Sequence, residues 1–291
     1  MGKKGGSKGL KRKPAPRFWP IHRKEFVWIV KPSPGPHSIQ RCLPLAIVLR
    51  DILGFAQTRK EAKTIVSEGK IYVDGKIRRE DNFPVALMDV ISIPDADKCF
   101  RILPSKKGLI LHPTGKEEAF FKLCRIENKA VTKNGHIQLN VHDGSNILVK
   151  VADPKNPQED VYKTLDTLKI SLPERQILEH IKMKEDDFAI ITGGKNIGKY
   201  GKIVEIEKAK GKKQKSALVT IEDEKGDRYQ NNPELCPCNR RNKTTHIPNG
   251  EGGSLSCLRM KSARHGKNSQ CLNQKSIKLL SISVLESLVS H

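Results

Sequence analysis

Aromatic residues are scarce: eight Phe, four Tyr and two Trp in 291 residues. No apolar run approaches the ~20 residues that a membrane helix needs, so no membrane partner is expected. The opening stretch MGKKGGSKGLKRKPAPRFW has no apolar segment of the kind that directs secretion. It begins Met-Gly, but Gly6 stands where a myristoylation signal wants Ser or Thr. The seven cysteines are odd in number and scattered, which excludes a simple disulfide framework and points to reduced thiols in the cytoplasm. Acidic residues are almost missing from one end: residues 1–41 hold eleven Lys or Arg against Glu25 alone.

The chain as a whole carries 54 Lys and Arg against 32 Asp and Glu, a net charge of +22. Residues 1–41 account for +10 and residues 231–291 for +6, leaving +6 for everything between. A moderately charged body with two basic ends fits a polyanionic partner, nucleic acid before an acidic membrane surface. A basic tail can also be a mere solubilising device. Six Lys or Arg without one acid in the first thirteen residues favour a polyanion-binding arm. Rich in Gly, Lys and Pro, that arm is expected to stay extended or disordered until it meets its partner. Trp19 and Trp28 are either anchors on the body or base-stacking groups.

The segment IITGGKNIGKYGKIVEI, residues 190–206, has the spacing of a nucleotide-binding loop through Gly193, Gly198 and Lys199. The position that should supply a magnesium-binding hydroxyl is Tyr200, whose phenol sits too far from the backbone. Such a loop must also run into a helix, whose N-terminus holds the phosphates. Here Gly201 and the β-branched KIVEIE follow, which read as a strand. The segment is therefore expected to be a glycine-turned hairpin, not a nucleotide site.

From Cys42 a regular pattern starts. Apolar residues at 45, 48, 49, 52 and 53 mark a short helix ended by Gly54. Thr58 and Glu61 form a capping box for a second helix, with Ala62, Ile65 and Val66 inward and Gly69 as its stop. IYVDGKIRR is a strand and an Asp-Gly turn, and MDVISI a further strand. Arg59, Lys60, Lys63, Lys70, Lys76, Arg78 and Arg79 arrive together on the second helix and hairpin. A solvated face would explain any one of them; so many together read as an RNA contact.

This stretch, RCLPLAIVLRDILGFAQTRKEAKTIVSEGKIYVDGKIRREDNFPVALMDVISI, resembles the αL RNA-binding domain of ribosomal proteins, pseudouridine synthases and some tRNA ligases. With KPSPGPHSIQRCLPL before it, and KLCRI (122–126), HIQLNVHDGSNILV (136–149) and TGGKNIGKYGKI after it, the chain resembles the archaeal and eukaryotic S-four-e family of the small ribosomal subunit over roughly residues 8–230. The resemblance implies that the glycine hairpin opens a KOW module, a small β-barrel, with Gly201 between its first two strands. In that family Arg usually stands where Ser145 does here, so this chain is expected to lack one phosphate-binding group.

The centre reads as strand-rich: Ile137, Leu139 and Val141 alternate, with Asn134-Gly135 and Asp143-Gly144 as turns. LPERQILEHIKM is a helical turn or a strand lead-in. His142-Asp143 suggests acid–base work, but no third group lies nearby, and a structural turn explains it better. A pseudouridine synthase would need a catalytic Asp in an R-L-D word, and none occurs. From residue 231 the pattern breaks: the tail has no aromatic residue and no Asp, yet holds four of the seven cysteines. Cys236, Cys238, Cys257 and Cys271 with His246 and His265 fit no paired-knuckle zinc spacing. The tail is expected to be foreign to the fold, joined out of frame, and its absence from the barrel is expected to leave a bare strand edge.

The expected fold is α+β in several modules: a basic arm (1–41), an αL domain (42–104), a central β-rich domain (105–182), an incomplete KOW module (183–230) and a disordered tail (231–291). The expected function is that of a structural protein of the small ribosomal subunit, in the cytoplasm, with ribosomal RNA and neighbouring ribosomal proteins as partners. No enzyme activity, cofactor, metal or small-molecule substrate is expected. RNA contacts are assigned to the arm (Lys3, Lys4, Lys8, Lys11, Arg12, Lys13), to the seven cations of the helix and hairpin, and to the glycine turn (Lys195, Asn196, Lys199). An RNA-modifying enzyme and a transient KOW-type translation or transcription factor are the alternatives.

Overall fold

The N-terminal segment folds back on itself: Leu10–Lys11 (β1) pairs antiparallel with Trp28–Ile29 (β2). The structure is a computed structural model that describes residues 7, 9–153, 158–207, 218–223, 226–231 and 235–238. Ala15, Trp19, Ile29 and Val30 join the same apolar core as Leu45, Ile47 and Val66. Trp19 is buried and donates its indole N–H to the Cys42 carbonyl at 2.9 Å. From residue 9 onward the segment is therefore part of a packed body, which corrects the expectation of a free arm. Composition misled because four buried side chains are enough to dock a Gly- and Pro-rich stretch. A buried side chain of this size is worth roughly 1.5–3 kcal/mol.

Next come Cys42–Pro44 (β3) and Leu45–Ile47 (α1), which runs on as a π-helical turn over Val48–Ile52. Gly54, at φ +69°, ends it. Thr58 caps Arg59–Ser67 (α2): its side chain accepts from the Glu61 N–H, and the Glu61 carboxylate accepts from the Thr58 N–H in return. Ala62 and Val66 face the core. Tyr72–Val73 (β4) and Lys76–Ile77 (β5) form the hairpin around Asp74-Gly75, both at positive φ. Pro84–Ala86 (β6) pairs with β3. Val90–Ile93 (β7), Lys98–Ser105 (β8) and Gly108–Thr114 (β9) complete a five-stranded sheet in the order β5-β4-β7-β8-β9.

The central sheet consists of Phe121–Val131 (β10), Ile137–Val141 (β11), Asn146–Val149 (β12), Thr167–Ser171 (β13) and Ile177–Ile181 (β14), in the order β12-β11-β10-β13-β14. Ile137, Leu139 and Val141 are buried, as their alternation requires. The ambiguous LPERQILEHIKM resolves as the strand β14.

The last sheet contains Phe188–Ile191 (β15), Tyr200–Glu207 (β16), Leu218–Glu222 (β17), Arg228–Asn231 (β18) and Leu235–Cys238 (β19), in the order β18-β17-β16-β15-β19. The glycine segment is thus a strand–turn–strand hairpin, which removes the nucleotide-loop geometry. Gly201 faces a neighbouring strand so closely that a Cβ there would meet the Glu222 carbonyl oxygen at 2.2 Å. One expectation is corrected: β19 pairs with β15 from Leu235↔Ile191 to Cys238↔Phe188, so the edge expected to be bare is paired. The first residues of the tail supply that strand, beyond the boundary drawn at 230. The rest of the tail, with Cys257, Cys271, His246 and His265, lies outside the described residues.

The fold class also shifts. The described residues are mostly β, with helical structure concentrated in the segment from Leu45 to Ser67. No helix among them is long and apolar enough to cross a membrane.

Candidate nucleic-acid interface

The capping box fixes where α2 begins and so which way its side chains point. Ala62 and Val66 are buried, while Arg59, Lys60 and Lys63 are exposed. Arg59 is not idle: its Nε donates to Asp81 at 3.0 Å and its Nη2 to Asn82 at 3.2 Å. Lys70 pairs with Glu68 at 2.7 Å. Arg78 stacks over the Phe83 ring, 4.2 Å from its centroid, and is half-buried. Lys60, Lys63, Lys76 and Arg79 are exposed and make no side-chain ion pair or hydrogen bond among the described residues. The end of α2 lies against the hairpin: a Cβ on Gly69 would stand 3.8 Å from the Arg79 Nε.

The remaining predicted contacts divide the same way. Lys3, Lys4 and Lys8 lie outside the described residues. Lys11 and Lys13 are exposed, Lys11 with its ammonium 5.9 Å from the centroid of the exposed Trp28. Arg12 is buried, donates to the His22 carbonyl and pairs with Glu25 at 3.5 Å. Its guanidinium is spent inside the N-terminal fold, which corrects its assignment as a surface contact. In the β15–β16 turn Lys195 is exposed, Asn196 is half-buried, and the Lys199 ammonium sits 3.4 Å over the Tyr229 ring.

Sequence reasoning missed the residue that joins these parts. Lys122, on β10, is 2% exposed. Its ammonium donates to Asp89 at 2.6 Å, Asp74 at 2.7 Å and Asp143 at 3.3 Å. Asp74 and Asp89 come from the helix-and-hairpin unit, Asp143 from the central sheet. His37, from the N-terminal segment, reaches Asp89 at 3.1 Å. One ammonium has three donors, and here it has three carboxylates to give them to. Burial pushes the Asp74 carboxyl up, while Lys122 and His37, against the pull of burial, hold Asp89 well below the usual range. The Lys122 pKa is raised far above its ordinary value, because the carboxylates outweigh its burial. The remaining carboxylate oxygens are also used: Val90 N–H donates to Asp74 at 3.0 Å, Ala86 N–H to Asp89 at 2.8 Å, and Ser145 N–H to Asp143 at 2.9 Å. The Asp143-Gly144 turn is structural, and Ser145 caps it. A signal existed in the sequence: Lys122 shares a strand face with Cys124 and Ile126, at period two.

His142 lies beside this cluster. Its Nδ1 accepts the Arg125 N–H at 3.2 Å and its Nε2 lies 3.3 Å from the Leu87 carbonyl, a pairing that fits only the neutral ring. Burial, then the Lys122 ammonium, push its pKa down to about 4. The unfolded chain takes up this proton near pH 6.5, before the folded one. Stability from this group is therefore complete above about pH 6.5 and falls as the pH drops toward 4, by up to roughly 3 kcal/mol. At the acid end Asp74, with its raised pKa, opposes the fall, while Asp89 and Asp143, both held low, add to it. Urea denaturation at pH 7, 5.5 and 4.5 should show the decline, and His142→Gln should flatten it. A midpoint equal at all three pH values would refute this account of His142.

The capped helix and the basic hairpin fall within residues 43–91, which the S4 domain model matches. An RS4NT domain model matches residues 4–40, and the model described as ribosomal family S4e matches residues 96–177. The chain belongs to the ribosomal family S4e. It is 54% identical over 231 residues to "Small ribosomal subunit protein eS4" of Staphylothermus marinus, covering 79% of this chain and 91% of that one. With the protein of the same name from Methanocaldococcus jannaschii it shares 48% over 231 residues, 79% of this chain and 93% of that one. The crystal structure of the 30S ribosomal protein S4e from Thermoplasma acidophilum superposes with a TM-score of 0.56 at 29% identity, over 68% of this chain and 95% of that chain.

Proposed function

We propose that the chain is a structural constituent of the small ribosomal subunit that binds ribosomal RNA, located on cytoplasmic ribosomes beside other ribosomal proteins. The observation that carries this is near-half identity, over nine-tenths of their length, to relatives named as small-subunit proteins. The exposed cations of α2 and the β4–β5 hairpin support it. Binding would rest on neutralising phosphates and matching RNA shape, with little reading of bases. The last sheet serves as a KOW-type module, with Lys195, Asn196 and Lys199 at its opening turn. The segments 1–41, 42–104, 105–182 and 183 onward act as successive modules of one RNA-binding body.

Co-sedimentation with purified small subunits in high salt tests the reading. One copy per subunit, resisting the wash, is expected. Substoichiometric, easily stripped binding would favour a transient factor, and turnover of uridine in an rRNA assay would favour a modifying enzyme. Within the interface, Lys60→Ala with Lys63→Ala should weaken binding to a small-subunit rRNA fragment about tenfold or more at low salt, with the circular dichroism unchanged. Arg59→Ala should also cost stability, because it leaves Asp81 and Asn82 without their partner. Unchanged affinity in the double variant would move the contact face elsewhere.

A further inference from the structure

A cavity of about 520 Å³ opens where the N-terminal segment, the β8–β9 turn, β10 and the β15–β16 turn converge. Five cationic side chains line it, Arg17, Arg41, Lys106, Lys107 and Arg125, against one carboxylate, Glu127. That carboxylate is already committed, since Arg125 donates to it at 3.3 Å. Arg17, Lys106 and Lys107 are exposed and make no side-chain hydrogen bond or ion pair among the described residues. None of these cations belongs to the set that sequence reasoning assigns to RNA.

Cations gathered around one concavity raise the energy of the empty site and favour an anion within it. A lone phosphate would not need this room, because the volume is that of a site for a small organic molecule. Phe18, Leu87 and Leu109 give the cavity an apolar wall. Anion-binding side chains beside an aromatic and aliphatic wall match a nucleotide, which carries a phosphate at one end and a flat base at the other. Sequence-selective RNA recognition uses bases splayed out of the helix and stacked on aromatic side chains. The turn that mimics a phosphate loop in the sequence contributes Thr192, Gly193 and Gly194 to the same cavity. Gly198, at φ +83°, lets that turn sit against β8, where a Cβ would meet the Ser105 Cα at 2.7 Å. The two turns are therefore fitted to each other, and the cavity is a built feature of their junction.

We propose that this cavity receives one unpaired nucleotide of the bound RNA, its phosphate held by Arg17, Lys106 and Lys107 and its base against Phe18. The proposal rests on the ribosomal RNA-binding function put forward above. Adenosine 5′-monophosphate and inorganic phosphate are the probes, titrated into the full chain by NMR. Adenosine monophosphate should bind at least tenfold more tightly than phosphate, and a small-subunit rRNA fragment should displace it. Lys106→Ala with Lys107→Ala should lower rRNA affinity about tenfold and reduce the salt slope by about one for each phosphate no longer neutralised. Arg17→Gln, on a separate segment, should weaken both ligands as well and guards against a local folding defect in the turn.

Equal binding of the two probes would overturn the base seat. Adenosine monophosphate that rRNA cannot displace would make this a free-nucleotide site and overturn the RNA assignment. Parent-like rRNA affinity and salt slope in both cavity variants, while the Lys60/Lys63 variant loses affinity, would overturn this inference and leave the ribosomal reading standing. Failure of the parent chain to bind rRNA at all would bring down both.

Discussion

Lys122→Ala is expected to destabilise the protein by about 3–5 kcal/mol, the scale for breaking a buried ion pair on one side only. The substitution takes the shared ammonium away from Asp74, Asp89 and Asp143 and leaves His37 in contact with Asp89 alone among the three. Against a typical total of 5–15 kcal/mol, that is a large part of the stability. The cost comes from stranded carboxylates, not from a lost side-chain volume. Lys122→Met, which keeps the volume, should therefore rescue little. Lys122→Arg should fail too, since a planar fork cannot direct three donors to three separated carboxylates. Lys122→Met combined with Asp74→Asn and Asp89→Asn should recover much of the loss, because two of the three uncompensated charges go with it and Asp143 keeps its bonds from Ser145. Urea denaturation of the parent and the four variants gives the comparison. A Lys122→Ala midpoint equal to the parent's would show that the cluster is no clasp.

Lys122 also shows what kind of structure the sequence discloses. Much that is local was legible. Thr58 and Glu61 announce their helix three residues apart, and Asp74-Gly75, Gly135 and Gly144 announce turns that the structure holds at positive φ. Ile137, Leu139 and Val141 announce a buried face. The glycine hairpin was legible because a β-branched run cannot open a helix. What failed were statements that depend on residues distant in sequence. The clasp joins positions 37, 74, 89, 122 and 143, and no window of the chain contains it. Arg12 reads as one of six arm cations, and only the return of the chain at Glu25 and Trp28 encloses it. The strand at Leu235–Cys238 carries no local signal strong enough to outweigh the loss of pattern around it. The cavity likewise is made of segments scattered from Arg17 to Ile197, although Lys106-Lys107 before Gly108 is a visible basic turn.

Raising salt from 50 to 200 mM is expected to weaken binding to small-subunit rRNA by about 10³- to 10⁴-fold, with a log–log slope near −5 to −6. The figure follows from which predicted cations the structure leaves available. Arg12, Arg59, Lys70, Arg78 and Lys199 are engaged with carboxylates, carbonyls or rings. Lys11, Lys13, Lys60, Lys63, Lys76, Arg79 and Lys195 are exposed. Seven phosphate contacts at roughly 0.7–0.9 released counterions each give that slope. Contacts from the cavity would steepen it, and substitutions at the seven positions should each flatten it by about one. Arg12→Ala distinguishes a structural cation from a contacting one: it should lower the denaturation midpoint and leave the slope where it was. A slope shallower than −2 for the parent chain would mean that the exposed lysines and arginines do not meet phosphates. An Arg12→Ala slope as flat as that of Lys60→Ala would mean that burial does not separate the cations that hold the fold from those that hold RNA.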